Sequence, residues 1–158
     1  SEVCDGRCVG GCEVDGDGVE ESARGIVSYG IIRGYVLGSY SARRLDMQTT
    51  GNAGGVHNLT IDTGDQNLEQ MISGIDEGFL VTELIGFGIN NVTGDYSRGA
   101  AGLWIENGEI AYPVEEVTVA GNLKDIFQNI AAIGNDVDPR RSTRCGSILV
   151  EGLTIAGD

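Results

Sequence analysis

The strongest local signal in the chain is the segment Gly102-Leu103-Trp104-Ile105-Glu106-Asn107-Gly108-Glu109-Ile110-Ala111-Tyr112. Asn-Gly favours the two-residue type I′ turn, and the apolar residues on either side alternate with the period of two that paired strands show. The pattern therefore predicts an antiparallel β-hairpin.

Further strands are predicted on both sides of this hairpin. Runs rich in β-branched and aromatic residues predict strands over 56–62, 79–85, 114–119 and 147–155. The segment 25–38 has the same composition, with Tyr29-Gly30 between its halves, and predicts a short hairpin.

Three segments have helical character. The first is 39–45, with Ser39 or Ser41 as its cap, and the second is 66–78, with Gly78 at its end. The third is 122–133, which is capped by Asn122 and stopped by Gly134. In the last of these, the helical period of the apolar residues predicts that Ile126, Phe127 and Ile130 pack on the sheet. Strands outnumber helices and come mostly in hairpins, so we predict an α+β fold with a mainly antiparallel, curved or barrel-like sheet and two or three helices.

Length and composition indicate one globular domain. The chain has 158 residues, of which 41% are hydrophobic and 22% charged, and the 26 glycines are accompanied by only 2 prolines. We expect a flexible Gly/Asp/Cys-rich lead-in over 1–18 and the folded domain over 19–158. The start, which has no initiator Met, suggests a piece of something longer.

The net charge of −14 argues against direct binding to nucleic acid or to an anionic membrane surface. No window has the roughly 20 apolar residues of a membrane helix, and the first residues lack the pattern of a signal peptide. We therefore expect a soluble, cytoplasmic protein.

Metal ligands are sparse. Cys4, Cys8 and Cys12 recur at every fourth position, but they complete neither a zinc nor an iron–sulfur pattern, and His57 is the only histidine. The three cysteines are weak candidates, with free thiols as the default. The run 15–18, Asp-Gly-Asp-Gly, breaks off before a calcium loop is complete and predicts a solvated turn.

Two glycine-rich segments could contact a ligand. The run 51–55 matches neither a P-loop nor a dinucleotide fingerprint, so a plain turn or a close approach to a peptide backbone are the readings left open. The run 90–102 is polar and lies between two predicted strands, which predicts a long loop of the kind that often carries binding residues.

Five motifs in consistent order resemble the C-terminal domain of the TldD/PmbA proteins, also called modulators of DNA gyrase, and within them the PmbA (TldE) branch. The motifs are Ser39-Tyr40-Ser41-Ala42-Arg43, Thr50-Gly51-Asn52-Ala53-Gly54-Gly55, Val92-Thr93-Gly94-Asp95-Tyr96-Ser97-Arg98-Gly99-Ala100, Trp104-Ile105-Glu106-Asn107-Gly108-Glu109-Ile110 and Tyr112-Pro113-Val114-Glu115-Glu116-Val117-Thr118-Val119-Ala120-Gly121-Asn122. The resemblance runs from about residue 17 to residue 158, and the N-terminal domain of the family is absent from this chain.

The resemblance implies a part of a metalloprotease that acts on small or unfolded peptides. In that family the TldD subunit is the one that binds the metal, through an H-E-x-x-x-H helix and a distant third ligand. This sequence has no such motif, and Leu84-Ile85-Gly86-Phe87-Gly88 stands where the cysteine-bearing segment of TldD aligns. The resemblance therefore implies that this chain has no cofactor and that a TldD-type partner holds zinc.

The resulting hypothesis is a non-catalytic subunit that pairs with a TldD-type subunit, or with copies of itself, and lines a peptide cavity. No catalytic residue is assigned. We expect the two glycine-rich segments to lie at one end of the sheet, and the cavity-lining candidates are Asn52, Gly54, Gly55, His57, Asn58, Asn91, Asp95 and Arg98. Arg98 either grips a substrate carboxylate or pairs with Asp95. The alternatives are a self-sufficient metal-dependent peptidase and a protein-interaction module that affects gyrase without enzymatic activity.

Overall fold

A computed structural model describes residues 14–157, which form an α+β fold with three helices and mostly antiparallel strands, as predicted. These residues divide into two compact units, 14–62 with 137–145 and 63–136 with 146–157. The division of the chain into a lead-in over 1–18 and a single domain over 19–158 stays a prediction. None of the helices in the described part of the chain has the length and apolarity needed to cross a membrane.

The first unit contains a short hairpin, a helix and a parallel strand pair. Strands β1 (Val27–Ser28) and β2 (Ile31–Ile32) pair antiparallel, and the positive φ angles of Tyr29 (51°) and Gly30 (73°) confirm the predicted hairpin turn. Helix α1 spans Ser39–Arg44, with Ala42 buried. Gly38 is its N-cap, so the predicted serine cap is wrong; the Ser41 hydroxyl instead donates to the Gly38 carbonyl.

The strand predicted over 56–62 is much shorter in the structure. Strand β3 covers only Leu59–Thr60 and pairs in parallel with β8 (Thr143–Arg144). The Leu59 and Ile61 amides donate to the Ser142 and Arg144 carbonyls, each at 2.9 Å. This single pairing to a distant segment sets the length of the strand, which local composition could not indicate.

The second unit is built on an open four-stranded antiparallel sheet in the order β10-β6-β5-β4, so the barrel-like alternative does not apply to the described residues. Its strands are β4 (Glu77–Ile85), β5 (Asp95–Glu106), β6 (Glu109–Asn122) and β10 (Thr154–Ala156). The predicted hairpin is confirmed: Asn107 and Gly108 have φ angles of 53° and 79° and join β5 to β6. Strand β6 is longer than predicted. The backbone at Glu116 (φ 59°) departs from regular strand geometry, but a register shift between Ala100 and Gly102 of β5 accommodates it, so β6 continues past this residue.

The loop predicted over 90–102 is mostly strand, so this prediction is wrong. Strand β5 already begins at Asp95, which leaves only a tight turn before it. The small residues of the segment serve close packing between strands: Ala100 is fully buried, and a side chain at Gly102 would clash with the Leu80 carbonyl and the Phe79 ring. The segment is rich in glycine because β5 lies between two other strands of the sheet.

The second helix, α2, is shorter than its apolar period predicted. It spans Leu68–Ser73 between Asn67, which forms a capping box with Gln70, and Gly74. The predicted end at Gly78 is wrong, since Gly78 already lies in β4.

The third helix, α3, ends early for a different reason. It spans Leu123–Gln128 and is capped by Asn122 as predicted, the side chain accepting from the Lys124 amide at 3.0 Å. The predicted stop at Gly134 is wrong because Ile130–Ile133 forms strand β7 against β9 (Ile148–Val150). Phe127 is 70% exposed, so its predicted packing on the sheet is wrong as well.

The last predicted strand, 147–155, is two strands in the structure. Gly152, with a φ of 74°, turns the chain between β9 and β10. Strand β10 then pairs with β6 beside the core of this unit, which is formed by Ala100, Val117 and Val119. Trp104 and Phe79 add a tilted aromatic pair with ring centroids 6.3 Å apart.

Candidate functional site

In the first unit, the buried carboxylate of Asp15 holds two distant segments together. One oxygen accepts the Asp17 and Val19 amides, each at 2.9 Å, and the other accepts the Ala53 amide at 2.8 Å. Asp15 is only 5% exposed, so the solvated turn predicted for 15–18 is wrong at this residue. These hydrogen bonds, the one from Ala53 first, hold the pKa of Asp15 below its usual value.

His57 has a carboxylate partner that the sequence analysis did not identify. Its Nδ1 atom lies 2.5 Å from Oε1 of Glu21, and the two side chains are 31% and 16% exposed. The segment that carries Glu21 is further fastened by the Arg24 guanidinium, which donates to the Thr50 carbonyl. The only histidine of the chain thus forms part of the connection between residues 15–24 and the 49–57 loop.

The glycine-rich loop of the first unit keeps an accessible backbone. Gly54 and Gly55 both have a φ of 105°, a conformation that L side chains rarely adopt, and the space around their α-carbons is open. The Gly55 amide closes a turn onto the Asn52 carbonyl at 3.0 Å, while the Asn52 side chain accepts from the Thr50 hydroxyl at 2.9 Å. Asn58 is half-buried at the end of this loop.

We expect Asp15→Asn to lower the melting temperature (Tm) by about 3 °C or more near pH 7, because an amide nitrogen would face a backbone N–H. The pKa of Asp15 is lowered in the folded state, so its stabilisation is complete above the unfolded value of about 3.9 and is lost as pH falls through the folded value. Thermal melts from pH 7 to pH 2 should show the two proteins converging at acid pH. Asp62→Asn, at an exposed position of the same unit, should change the Tm little. A constant difference across the pH range would contradict this role of Asp15.

In the second unit, Asn91 lies in a tight turn before β5, and Asp95 is the first residue of β5 after this turn. Oδ1 of Asn90 accepts the Val92 and Thr93 amides at 2.9 and 3.3 Å, and the Thr93 hydroxyl donates to Asp95 at 2.6 Å. Asn91 is exposed on this turn. The turn is therefore rigid and presents its tip to solvent.

Asn122, which the sequence analysis identified only as a helix cap, also fastens this turn. Its Nδ2 atom donates to the Thr93 carbonyl at 3.1 Å and to Asp95 at 3.4 Å, while its Oδ1 caps α3. The register pairs Asp95 with Asn122 across β5 and β6. Cross-strand pairing is the signal that would have found this residue.

Arg98 does not pair with Asp95, so that alternative is wrong. The two residues are three positions apart on β5, and an odd separation places side chains on opposite faces of a strand. The Arg98 guanidinium instead donates through Nη2 to the Leu84 carbonyl at 3.2 Å. No carboxylate of the described residues forms an ion pair with it.

The described residues do not provide a zinc site. Nowhere in 14–157 do three His, Cys, Asp or Glu side chains gather as a possible ligand set, whereas a catalytic zinc needs three protein ligands. The candidates Cys4, Cys8 and Cys12 lie outside the described residues. The zinc chemistry implied by the resemblance therefore has no ligand set among residues 14–157.

The predicted cavity residues fall into two groups. Those of the 51–58 loop belong to the first unit, and Asn91, Asp95 and Arg98 belong to the second. That the two groups line one cavity stays a prediction.

Comparison with known proteins identifies close relatives. The sequence profile of the PmbA/TldA metallopeptidase C-terminal domain matches residues 4–157. Metalloprotease PmbA of Escherichia coli O157:H7 is 50% identical over 143 residues, which cover 90% of this chain but 32% of that protein. The chain thus spans about a third of the length of the curated relatives it matches.

Two solved structures have the same fold. A candidate modulator of DNA gyrase from Bacteroides thetaiotaomicron superposes with a TM-score of 0.87 and 34% identity, over 96% of this chain and 34% of that one. TldE from Thermococcus kodakarensis superposes with a TM-score of 0.78 and 27% identity, over 92% of this chain and 36% of that one. The likeness covers nearly the whole chain in both cases.

Proposed function

This chain belongs to the PmbA/TldD metallopeptidase family, as its C-terminal domain, and we propose that it is a non-catalytic part of a TldD/TldE-type metalloprotease. In this proposal it completes the assembly and lines the cavity in which small or unfolded peptides are processed. Zinc is held by a TldD-type subunit, and the assembly works in the cytoplasm. This chain pairs with the TldD-type subunit, and the alternative arrangement is a homo-oligomer of this chain.

The observation that carries the proposal is the pairing of His57 with Glu21. The only histidine of the chain has its Nδ1 atom 2.5 Å from a carboxylate and joins two segments of the first unit. That position supports a structural role for His57, as part of the scaffold that carries the glycine-rich loop. A lone histidine used in this way supplies no metal-binding pair of the type H-E-x-x-x-H.

The accessible backbone at Gly54 and Gly55 supports contact with an extended peptide. Without side chains, the N–H group of Gly54 and the C=O groups of both glycines can approach a peptide backbone, which gives affinity with little sequence preference; the Gly55 N–H is used in the turn. The exposed Asn91, and Arg98 with its charge not neutralised by a described carboxylate, supply polar contacts in the same proposal. Arg98 would then grip a peptide carboxylate.

We expect the purified chain to hold far less than one zinc per molecule and to hydrolyse no peptide by itself, since one histidine and three terminal cysteines do not complete a known zinc pattern. Metal analysis by mass spectrometry after dialysis against zinc measures the stoichiometry. The control is the variant with Cys4, Cys8 and Cys12 changed to serine. A ratio near one zinc per chain that this variant loses would contradict the proposal and favour a self-sufficient peptidase.

A second candidate function rests on the Bacteroides relative, which carries the name of a gyrase modulator. In that case this chain would act through protein contact, because its net charge of −14 opposes contact through DNA. Co-purification from the source organism distinguishes the two. Capture of a TldD-type subunit supports the protease assembly, and capture of gyrase subunits without it supports the interaction module.

A further inference from the structure

The turn between β5 and β6 carries a chemically labile pair of residues. Asn107 is the only one of the nine asparagines that is followed by a glycine. Asparagine is among the residues that proteins lose chemically with heat and age. The loss is fastest before a glycine, because no side chain hinders the approach of the next amide nitrogen to the asparagine side chain. The pair that specifies the hairpin turn is therefore also the pair most prone to deamidation.

Deamidation of this pair needs only hydroxide and water from the solvent. Hydroxide removes the proton from the Gly108 amide nitrogen, and this nitrogen attacks Cγ of Asn107 to form the new C–N bond of a five-membered imide ring. The bond from Cγ to the side-chain nitrogen breaks, and that nitrogen takes a proton from water and leaves as ammonia, which restores hydroxide. A further water molecule opens the ring at either carbonyl, which gives aspartate or isoaspartate at this position.

The fold engages the attacking nitrogen in a hydrogen bond. The Gly108 amide donates to the Ile75 carbonyl at 2.8 Å, and the Asn107 amide donates to the Asp76 carbonyl at 2.7 Å. Both carbonyls belong to the short segment between the end of α2 and the start of β4. The Gly108 amide must break this hydrogen bond before it can lose its proton and turn towards the Asn107 side chain.

Backbone packing holds the turn against the same segment. A β-carbon added to Gly108 would lie 2.9 Å from the Ser73 carbonyl oxygen, so the turn meets main-chain atoms there. Gly108 is half-buried, whereas Asn107 is exposed. The side chain that would be attacked is thus open to water, while the nitrogen that would attack it is engaged. Contact with residues 73–76, and not burial of the asparagine, is the feature that can control the reaction.

We propose that Asn107 is a deamidation site that the folded protein keeps closed through the hydrogen bond from the Gly108 amide to the Ile75 carbonyl. The reaction starts only when the turn separates from residues 73–76, so its rate follows the population of that open form. The extent of deamidation then records how often this end of the hairpin opens. The inference is independent of the proposed function, because it concerns contacts within the second unit.

The products of the reaction do not suit the closed turn. A new carboxylate at this position would follow Glu106, which already pairs with Glu77 on one neighbouring strand and with Glu109 on the other. Like charges on neighbouring strands are destabilising. Isoaspartate also adds a methylene group to the main chain of a two-residue turn, whose length fixes the register of the hairpin. A deamidated turn should therefore close less well than the original one.

The test compares the deamidation rate of Asn107 in the folded protein and in urea, at one mildly alkaline pH, by peptide mapping with mass spectrometry. We expect the folded protein to react about thirtyfold or more slowly. Hydrogen exchange of the Gly108 amide, followed by NMR in the folded protein, should be slowed by at least a similar factor, because it needs the same hydrogen bond to break. A synthetic peptide of residues 102–112 has the turn without residues 73–76, and it should react at the rate of the unfolded protein.

A variant tests the contact itself. Gly108→Ala places a methyl group against the Ser73 carbonyl and should push the turn away from residues 73–76. We expect the ratio of the unfolded to the folded deamidation rate to fall about tenfold or more. Taking the ratio within one variant cancels the slower intrinsic reaction before alanine. The matched control is Gly74→Ala, where the added methyl group makes only an ordinary contact, and it should keep the wild-type ratio.

Three results would overturn the proposal. Equal rates in the folded and unfolded protein would show that the hydrogen bond does not close the site. A peptide that reacts as slowly as the folded protein would show that the turn protects itself without residues 73–76. Slow deamidation together with free exchange of the Gly108 amide would show that something other than this hydrogen bond limits the reaction.

Discussion

Replacing Gly102 with valine is expected to lower the free energy of unfolding of the second unit by about 3 kcal/mol or more, at or beyond the upper end of the usual cost of overpacking. Gly102 lies in β5, between β4 and β6, and any side chain there would clash with the Leu80 carbonyl of the neighbouring strand. Because the obstacle is backbone, it cannot rotate away as a flexible side chain would. The sheet must either separate locally or remain unfolded.

The measurement is a urea titration followed by the fluorescence of Trp104, the only tryptophan, which lies two residues further along the same strand. The matched control is Gly74→Ala at the end of α2, where an added methyl group would make an ordinary contact 3.6 Å from the Met71 carbonyl. This control should shift the free energy of unfolding by less than about 1 kcal/mol. A Gly102 variant as stable as the control would show that β4 and β5 are not packed as described.

Replacing Ile105 with alanine should cost about 2–5 kcal/mol, the range found for truncation of a buried aliphatic side chain. Ile105 is 2% exposed, and its cross-strand partner Ile110 is 50% exposed. Ile110→Ala removes the same atoms one strand away, so it should cost less than about 1 kcal/mol. The same tryptophan-monitored titration compares them, and equal losses from the two variants would mean that the burial of Ile105 and the exposure of Ile110 are assigned wrongly.

Local chemistry was enough to predict the two hairpin turns and the cap of α3. Asn107-Gly108 and Tyr29-Gly30 adopt the left-handed angles that their hairpins need, and Asn122 caps α3 because its side-chain oxygen reaches an amide two residues away. In each case, the residues that determine the conformation are neighbours in sequence. Such features can be recognised without knowing the tertiary structure.

Predictions that depended on tertiary packing were wrong. The glycines and alanines before residue 102 indicated a loop, but they serve a crowded central strand, with Ala100 fully buried. The apolar period after Asn122 indicated a long helix, but Ile130–Ile133 pairs with β9. The spacing of apolar residues shows which side chains would share a face of a helix. It does not show whether the backbone of that segment will form hydrogen bonds with a distant strand instead.

The partners of the candidate site residues were hidden for the same reason. Glu21 meets His57 and Asp15 meets Ala53 across long separations in sequence, which no spacing rule connects. The relation of Asp95 to Arg98 was different. Their odd separation on a strand already placed them on opposite faces, so this pairing could have been rejected once β5 was known to begin at Asp95.

The central claim is that this chain contributes to peptide hydrolysis only together with a TldD-type subunit. Peptide turnover by that subunit, with zinc present, should be measured alone and with increasing amounts of this chain, and also for this chain alone with zinc. We expect no turnover by this chain, and a rise in the turnover of the TldD-type subunit that saturates when the two are equimolar. Turnover by this chain alone at the rate of the mixture, abolished when Cys4, Cys8 and Cys12 are changed to serine, would contradict the account.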